Sequence, residues 1–387
     1  MKLSIPPANA SPQGRKSSNP PVEMEKPARL DALTGLRSFA AVNIVLFHFS
    51  NPDWFGPFAP VVNAGYASVS FFILLSGFVL GYNYNARARA GKLETKRFYE
   101  ARFTRLYPIY LLSLLLAFKL LPIEWGSHTH GMFWAGIALS PLLLQGWIPE
   151  IATFLNTPAW TMSAESFYHV LFPWMARWKK PERIGPHLAK MGLLWILGLV
   201  PGTLYIVYNP DGLSHVDRFS YGKWLQALKY TPIPHLASFV FGVMLAELDE
   251  VVPRMGKRRL VIGIFGFVAT FFVLTQAYRL PYTLLHDGFF MPLFGCIVLG
   301  LAGINPLSKL FGLAPLVFVG EASYCLYLLH FNMWNMIHDS HLLDRLGLAR
   351  FDPWISYLLL IGFALLALHF VEKPAQRILR GWMHVWR

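Results

Sequence analysis

The stretch of sequence that decides the fold reads YASVSFFILLSGFVLGYN (66–83), YNARARAGKLETKRFYEARFTR (84–105) and LYPIYLLSLLLAFKLLP (106–122). The first and last segments are apolar and close to the length of about 20 residues that a membrane span needs. The segment between them carries seven Lys and Arg residues and stays on the cytoplasmic side by the positive-inside rule. The stretch therefore predicts two transmembrane helices joined by a cytoplasmic loop.

The composition of the whole chain agrees with a membrane protein. Of its 387 residues, 55% are hydrophobic and only 14% are charged, whereas a soluble domain carries about 25% charged residues. The net charge of +13 is spread over short runs between apolar segments, which is the pattern of topology signals rather than of a nucleic-acid surface. We therefore expect membrane lipids, and no nucleic acid, among the partners.

Eleven apolar segments are candidate spans: 32–50, 66–83, 106–122, 132–148, 163–176, 191–208, 234–250, 259–277, 287–304, 314–333 and 353–371. The basic segments 84–105, 177–190 and 254–259 and the basic C-terminal tail share the cytoplasmic side only if residues 132–178 cross once. Segment 163–176 is the weaker half, because it is short and contains Pro173, so we interpret it as broken or re-entrant. The prediction is an all-α bundle of about ten transmembrane helices plus one partial segment.

Both ends of the chain are predicted to lie in the cytoplasm, at the cytoplasmic (inner) membrane of a bacterium. Residues 1–28 are rich in Pro, Ser, Asn and Lys and contain no apolar core, which indicates a disordered tail rather than a signal peptide. Residues 29–377 form the membrane domain, and 378–387 form a basic tail. The two cysteines, Cys296 and Cys325, lie in apolar segments and provide neither a disulfide framework nor a cysteine metal site. We expect no metal.

Two ionisable residues in the first span are candidates for function. Arg37 and His48 are eleven residues apart, about three helical turns, so they share one helix face and are separated by roughly 16 Å along the axis. Ionisable residues inside a span are costly and are usually functional. The pair is too far apart for direct contact but suited to the two ends of one long ligand.

A second candidate pair precedes the third span. Arg102 and Arg105 are neighbours on one helix face at i and i+3, and two guanidinium groups together suit phosphate recognition. The alternative is that both are ordinary topology charges.

Glu165 is the third candidate, because a carboxylate beside a histidine commonly orients the imidazole for base catalysis. Its partner is His48 or His169, or the pair is purely structural. Two further features have simpler interpretations. His330 is more often structural than catalytic, and Glu372 beside Lys373 is predicted to form an interfacial ion pair.

Seven motifs together make the chain resemble the acyltransferase family 3 of bacterial membrane O-acyltransferases. They are LDALTGLR with His48 (Leu30 to His48), SFFILLSGFVLGY (Ser70 to Tyr82), RFTRLYP (Arg102 to Pro108), WTMSAE (Trp160 to Glu165), FVFGVMLAEL (Phe239 to Leu248), GEASYCLYLLH (Gly320 to His330) and VEKP (Val371 to Pro374). They occur in the family's order and cover residues 29 to about 377. Met162 stands where the family usually has Leu.

The resemblance implies ten transmembrane helices and the transfer of an acyl group, usually acetyl from acetyl-CoA, to a hydroxyl of a sugar-containing acceptor. The family's Arg-x10-His motif corresponds to Arg37 and His48, and its Arg-x-x-Arg motif to Arg102 and Arg105. The esterase-like extracellular domain of some members is not expected here, so acceptor selection is expected to rest on the membrane domain or on a separate acceptor-handling protein.

The sequence therefore predicts a membrane O-acetyltransferase that uses acyl-CoA and a saccharide or lipid-linked glycan. His48 is predicted to be the general base, with Arg37 stabilising negative charge and Glu165 orienting the imidazole. Arg102 and Arg105 are predicted to bind the donor phosphates. The rival interpretation is a transporter, in which buried Arg, His and Glu residues form a substrate or proton path.

Overall fold

A computed structural model describes residues 30–253 and 256–385. The predicted tail 1–28 lies outside the described residues. The α-helices, in chain order, are α1 (Asp31–Phe49), α2 (Ala59–Asn63), α3 (Ala67–Arg89), α4 (Thr95–Leu116), α5 (Leu121–Ser127), α6 (His130–Leu139), α7 (Trp160–Met175), α8 (Ile184–Tyr208), α9 (Lys223–Tyr230), α10 (Pro232–Asp249), α11 (Lys257–Thr275), α12 (Tyr282–His286), α13 (Met291–Leu301), α14 (Pro306–Phe311), α15 (Ala314–Glu321), α16 (Ser323–Asp339), α17 (Leu342–Arg345), α18 (Trp354–Ala367) and α19 (Lys373–Val385). The predicted all-α fold class is confirmed.

Among the described residues, the helices that are long and apolar enough to span a membrane number close to, but below, the predicted ten. Within the described ranges, eight helices are long and apolar enough to cross a membrane, and a ninth forms if α15 and α16, which meet at a bend of 58°, count as one span. The eight are Asp31–Phe49, Ala67–Arg89, Thr95–Ser127, Ile184–Tyr208, Lys223–Asp249, Lys257–Thr275, Tyr282–Leu301 and Trp354–Met383. The difference arises because the predicted span 132–148 breaks after Leu139 and because the continuous helix α7, with 16 residues, is short for a span.

The irregular segment also differs from the one predicted. Segment 163–176 belongs to an unbroken helix, α7, because Pro173 lies near its end, where the helix is finishing. The preceding segment is the broken one, since α6 ends at Leu139 and residues 140–159 continue as turns and short 3-10 segments. The Gln145 amide donates to the Ala159 carbonyl (3.0 Å), and Gly146 N–H donates to the Ser163 hydroxyl (3.1 Å). Side-chain hydrogen bonds thus satisfy part of this irregular backbone.

The centre of the bundle is a close contact between α3 and α10. Gly77 of α3 lies against the Phe239 carbonyl, and Gly242 of α10 lies against the Leu74 carbonyl, so a Cβ at either glycine would overlap the opposite backbone. Small residues permit this approach, which drives helix association where the solvent is itself apolar. The contact fixes α3, which lines the candidate site.

Ion pairs gather the predicted cytoplasmic segments at one end of the bundle. Arg89, from 84–105, binds the Glu250 carboxylate at the end of α10, and Lys180, from 177–190, lies 3.7 Å from the same carboxylate. Arg259, which was counted among the topology charges, is instead only 1% exposed and pairs with Asp249. The grouping of the basic segments agrees with the charge argument, but Arg259 belongs to the protein interior.

Candidate active site

Three arginines line a cavity of about 160 Å³ between α1, α3, α4, α7 and α16. Arg37, Arg102 and Arg105 line it together with Glu165 and His169. Both arginines of the Arg-x-x-Arg motif lie inside α4, which begins at Thr95, and not before it as the sequence suggested. They lie about two and three turns into the helix, where they line the same cavity as Arg37 of α1.

Glu165 provides the carboxylate of this cavity. It accepts a hydrogen bond from Ser76, and its charge interacts with all three arginines. Glu165 lies on α7 at one turn from His169, which is buried beside Arg102. The motif WTMSAE therefore places its carboxylate among guanidinium groups, where it partly balances their charge.

The arginines differ in how far the protein satisfies them. Arg105 donates to Glu372 at 2.9 Å, and Glu372 is fully buried and also accepts from the Cys325 thiol. Arg102 lies over the rings of Tyr84 and Phe98, at 5.8 and 5.9 Å from the ring centres. Its Nε is buried and has no hydrogen-bond partner among the described residues. Three cations thus face two carboxylates, which leaves capacity for an anion.

The predicted ion pair between Glu372 and Lys373 does not form. Glu372 pairs with Arg105, and Lys373 lies 3.3 Å from Glu321. Both pairs line a second, more open pocket that shares Arg37 and Arg105 with the cavity and reaches the start of α1. The two arginines therefore lie between the second pocket and the cavity.

One face of α16 connects this cavity to the other end of α1. Ser323, Tyr324 and Tyr327 line the cavity, and His330 follows one turn after Tyr327 on the same face. The ring centres of Tyr327 and His330 are 6.2 Å apart. The stripe leads from the arginines to His48, because the His330 ring lies 5.3 Å from the His48 ring.

The histidine end of the site has a defined hydrogen-bonding pattern. His330 is 1% exposed, and its Nδ1 lies 2.6 Å from the Tyr327 carbonyl oxygen. Because a carbonyl only accepts, Nδ1 carries the proton and Nε2 carries a lone pair. That Nε2 is buried without a hydrogen-bond partner within the described ranges. His48, in contrast, is exposed at one edge, with Phe331 at 4.7 Å and the charge of Arg218 nearby.

The structure thus brings four of the five predicted site residues into one cavity and leaves His48 at the far end of α1. Glu165 lies with Arg37 and not with His48, so the neighbour of the His48 imidazole is another histidine. Sequence reasoning had assigned His330 a structural role. The signal that points to it is the spacing of Tyr324, Tyr327 and His330 in GEASYCLYLLH, which puts three polar groups on one face of the helix.

Comparisons with known proteins identify the class of this site. A family model described as an acyltransferase domain (acyltransferase family 3) matches residues 30–368. The chain belongs to this family, as its motifs indicated, and it is a multi-pass membrane O-acyltransferase. The assignment favours the enzyme over the transporter.

Named relatives have the same activity class. The chain is 28% identical to the acyltransferase MdmB of Streptomyces mycarofaciens, over 91% of this chain and 92% of that protein. It is 23% identical to the O-acetyltransferase OatA of Staphylococcus aureus, over 92% of this chain but only 58% of OatA. A putative O-acetyltransferase of Staphylococcus aureus is 22% identical over 57% of its length. No solved structure matches the chain.

Proposed function

We propose that the protein transfers an acyl group, in the simplest case acetyl, from acyl-CoA to a hydroxyl of a saccharide or glycosylated acceptor. The observation that supports this proposal is the two-ended site, with arginines at one end, a histidine pair at the other, and one face of α16 between them. Acyl-CoA has a matching form, since its phosphates and its thioester are joined by a long flexible arm. Arg37 and His48 are separated by roughly 16 Å along α1.

The arginine end is suited to the donor phosphates. It lies at the end of the bundle where the basic segments gather, which we assign to the cytoplasm, where acyl-CoA is made. Guanidinium groups bind phosphate oxygens through paired hydrogen bonds, and Arg102 has a buried N–H without a partner among the described residues. Arg102 and Arg105 would hold the phosphates, while Arg37 lies where the arm enters the cavity.

At the histidine end, His48 acts as the general base. A ring nitrogen of His48 accepts the proton of the acceptor hydroxyl as the hydroxyl oxygen attacks the thioester carbonyl carbon. The carbon–sulfur bond then breaks, and the CoA thiolate leaves and takes up a proton, so that the products are an ester and free CoA. His330 is the positioning residue, because its unprotonated Nε2 can accept a hydrogen bond from the other ring N–H of His48.

This assignment changes the role proposed for Glu165. A carboxylate placed among three arginines is not in a position to orient His48. Glu165 instead balances charge and keeps the arginine side chains ordered until the anionic donor binds. Its effect on the reaction would therefore run through donor binding.

The acceptor would reach the exposed edge of His48 from the side opposite the basic segments. We propose that the protein lies in the cytoplasmic membrane with both termini in the cytoplasm, and that the acceptor meets the thioester within the bundle or is delivered by a separate protein. Single cysteines introduced near Lys92, Arg183 and Arg258 should then resist an impermeant thiol reagent in intact cells. Labelling of the Arg183 position from outside would contradict this topology.

The function is tested with purified protein in detergent and acetyl-CoA labelled in the acetyl group. With a panel of oligosaccharides and extracted glycolipids as acceptors, wild-type protein should release CoA and transfer label to an acceptor, whereas His48→Ala should do neither. A transporter would leave acetyl-CoA intact in every arm. Release of CoA without label transfer to any glycan would support acyl-CoA as the donor but contradict a glycan as the acceptor.

A further inference from the structure

A second cluster of polar residues lies outside the acyl-transfer cavity, at the end of the bundle opposite the Arg89–Glu250 pair. His235 stands in the first turn of α10, and His286 and Asp287 stand where α12 ends. All three side chains are nine-tenths buried or more, with exposures of 2%, 6% and 1%. One ligand atom from each lies within 4.8 Å of the other two. None of the three lines the cavity that holds the arginines.

The cluster contains buried acceptor atoms that the protein leaves unused. His235 Nε2 lies 3.0 Å from the Lys229 carbonyl, so Nε2 carries the proton and Nδ1 presents a lone pair. This Nδ1, His286 Nδ1 and both carboxylate oxygens of Asp287 have no hydrogen-bond partner among the residues that the structure describes. Each unsatisfied buried group costs about 1–3 kcal/mol, and more when it is charged. Four such atoms together indicate that a binding partner completes the cluster.

A cation accounts for this arrangement better than a neutral group. Two imidazole nitrogens and one carboxylate form a ligand set that Zn²⁺ uses with a fourth position left for water, whereas Mg²⁺ and Ca²⁺ prefer oxygen ligands alone. The bond from His235 to a backbone carbonyl is the outer-shell contact that commonly fixes a metal-binding histidine. The Ser238 hydroxyl, one turn along α10, is likewise buried without a partner among the described residues.

We propose that His235, His286 and Asp287 form a binding site for a divalent transition-metal ion, with Zn²⁺ the best fit. Atoms bound to one zinc ion lie roughly 3.4 Å apart at bond lengths of about 2.1 Å, so small side-chain rotations close the observed spacing around an ion. The cationic side chain of Lys229, whose charge acts on His286, is held by the carbonyls of Arg218 and Ser220 at 3.2 Å each. The carboxylate of Asp287 remains for the metal.

The ion would join separate parts of the bundle at this end. The Trp160 ring, at the start of α7, lies 5.0 Å from the His235 ring, and the Tyr66 ring stacks 5.9 Å from His286. A metal bound here would therefore fix α10 to the segment between α12 and α13, beside the starts of α3 and α7. These two helices carry Ser76 and Glu165, so the ion would stabilise the frame of the active site without touching the reacting groups.

The test uses full-length protein purified in detergent with an affinity tag that contains no histidine. Wild-type protein should contain about one equivalent of zinc by elemental analysis. After removal with a chelator it should take up one equivalent of Co²⁺, with visible ligand-field absorption, and its melting temperature should rise on metal addition. Asp287→Asn and His235→Ala should lose this stoichiometric binding. His187→Ala is the matched control, because His187 is equally buried and also bonds a backbone carbonyl, and it should bind as wild type does.

Two results would overturn the proposal. Wild-type protein that neither contains zinc nor binds Co²⁺ would show that the cluster is a protonated carboxyl–imidazole pair. Variants Asp287→Asn and His235→Ala that keep one equivalent would place the metal elsewhere. If His235→Ala fails to fold, the near-isosteric Asp287→Asn variant and the Co²⁺ titration of wild-type protein still test the proposal.

Discussion

Two buried arginine environments in this protein differ in what the protein leaves for other molecules. Arg259 donates to the Asp249 carboxylate and to the carbonyls of Pro253, Leu299 and Val252, so the chain itself uses its guanidinium. Arg102 keeps a buried Nε without a partner among the described residues and faces a cavity. In the first case, hydrogen bonds within the protein offset the cost of burying the arginine. In the second case, part of the guanidinium is left free to bind another molecule. Burial of a charge alone therefore does not identify a site.

The histidines repeat this contrast. His187 lies 2.9 Å from the Met244 carbonyl at Nε2 and has no role in either proposed site. His330 makes the same kind of bond at Nδ1, but its Nε2 is buried without a partner among the described residues, and its ring lies 5.3 Å from the His48 ring. A ring nitrogen that is still able to accept a hydrogen bond, next to a second titratable ring, distinguishes the candidate catalytic pair from a structural histidine.

The largest effect is expected from His48→Ala. Loss of a general base lowers turnover by about 10²–10⁴-fold, while the melting temperature and CoA affinity stay near wild type because His48 is exposed and distant from the arginines. Label transfer from acetyl-CoA and calorimetry with CoA measure the two quantities. His187→Ala serves as the control and should retain turnover. Wild-type turnover in His48→Ala would remove the proposed mechanism.

Arg259→Ala tests the structural arginine. The variant breaks the buried ion pair with Asp249, which lowers the free energy of unfolding by about 3–5 kcal/mol. We expect a lower melting temperature and poor recovery of folded protein, measured by intrinsic fluorescence during heating in detergent. Arg102→Ala is the comparison variant and should melt near wild type. If both variants melt alike, the distinction between the two environments is wrong.

Arg102→Ala should weaken CoA binding by about 10- to 100-fold, because a hydrogen bond to a charged group contributes roughly 1.5–3 kcal/mol. Turnover at saturating donor should fall much less. Arg102→Lys should recover only part of the affinity, since an ammonium lacks the paired donors of a guanidinium. Calorimetry on the purified variants gives the values. Wild-type affinity in both variants would return Arg102 to the status of a topology charge.

The fold class was predictable from the sequence because the membrane constrains the composition of the chain, the length of its spans and the charge of its loops. The irregular segment was misassigned because length and Pro173 were used as signals, and a proline near the last turn of α7 leaves the helix intact. The sequence of 132–148 is mostly apolar, although Ser140, Pro141 and Gln145 interrupt it. Its break after Leu139 depends on contacts with Ala159 and Ser163 that no local pattern contains.

The residues of the candidate site were predictable from the sequence, but the contacts between them were not. Spacing along single helices was enough to select Arg37, His48, Arg102 and Arg105. Glu165 required knowledge of which helices are neighbours, because its contact with Ser76 joins residues 89 positions apart. Arg259 was counted as a loop charge because its partner Asp249 lies across a turn, and nothing in the basic run distinguishes it from its neighbours.

Glu165→Gln separates the predicted role of this residue from the one that the structure supports. As a charge-balancing group, Glu165 competes with the donor for the arginines. Its neutralisation should therefore tighten CoA binding by about two- to fivefold, on the order of 0.5–1 kcal/mol. Turnover at saturating donor should change little, and its pH dependence should stay that of wild type, since His48 is untouched. Ser76→Ala, which removes only the hydrogen bond to the carboxylate, should leave CoA affinity near wild type.

The opposite pattern, in which turnover falls strongly and shifts with pH while CoA affinity is unchanged, would mean that Glu165 orients the imidazole. The helices would then have to rearrange when the donor binds.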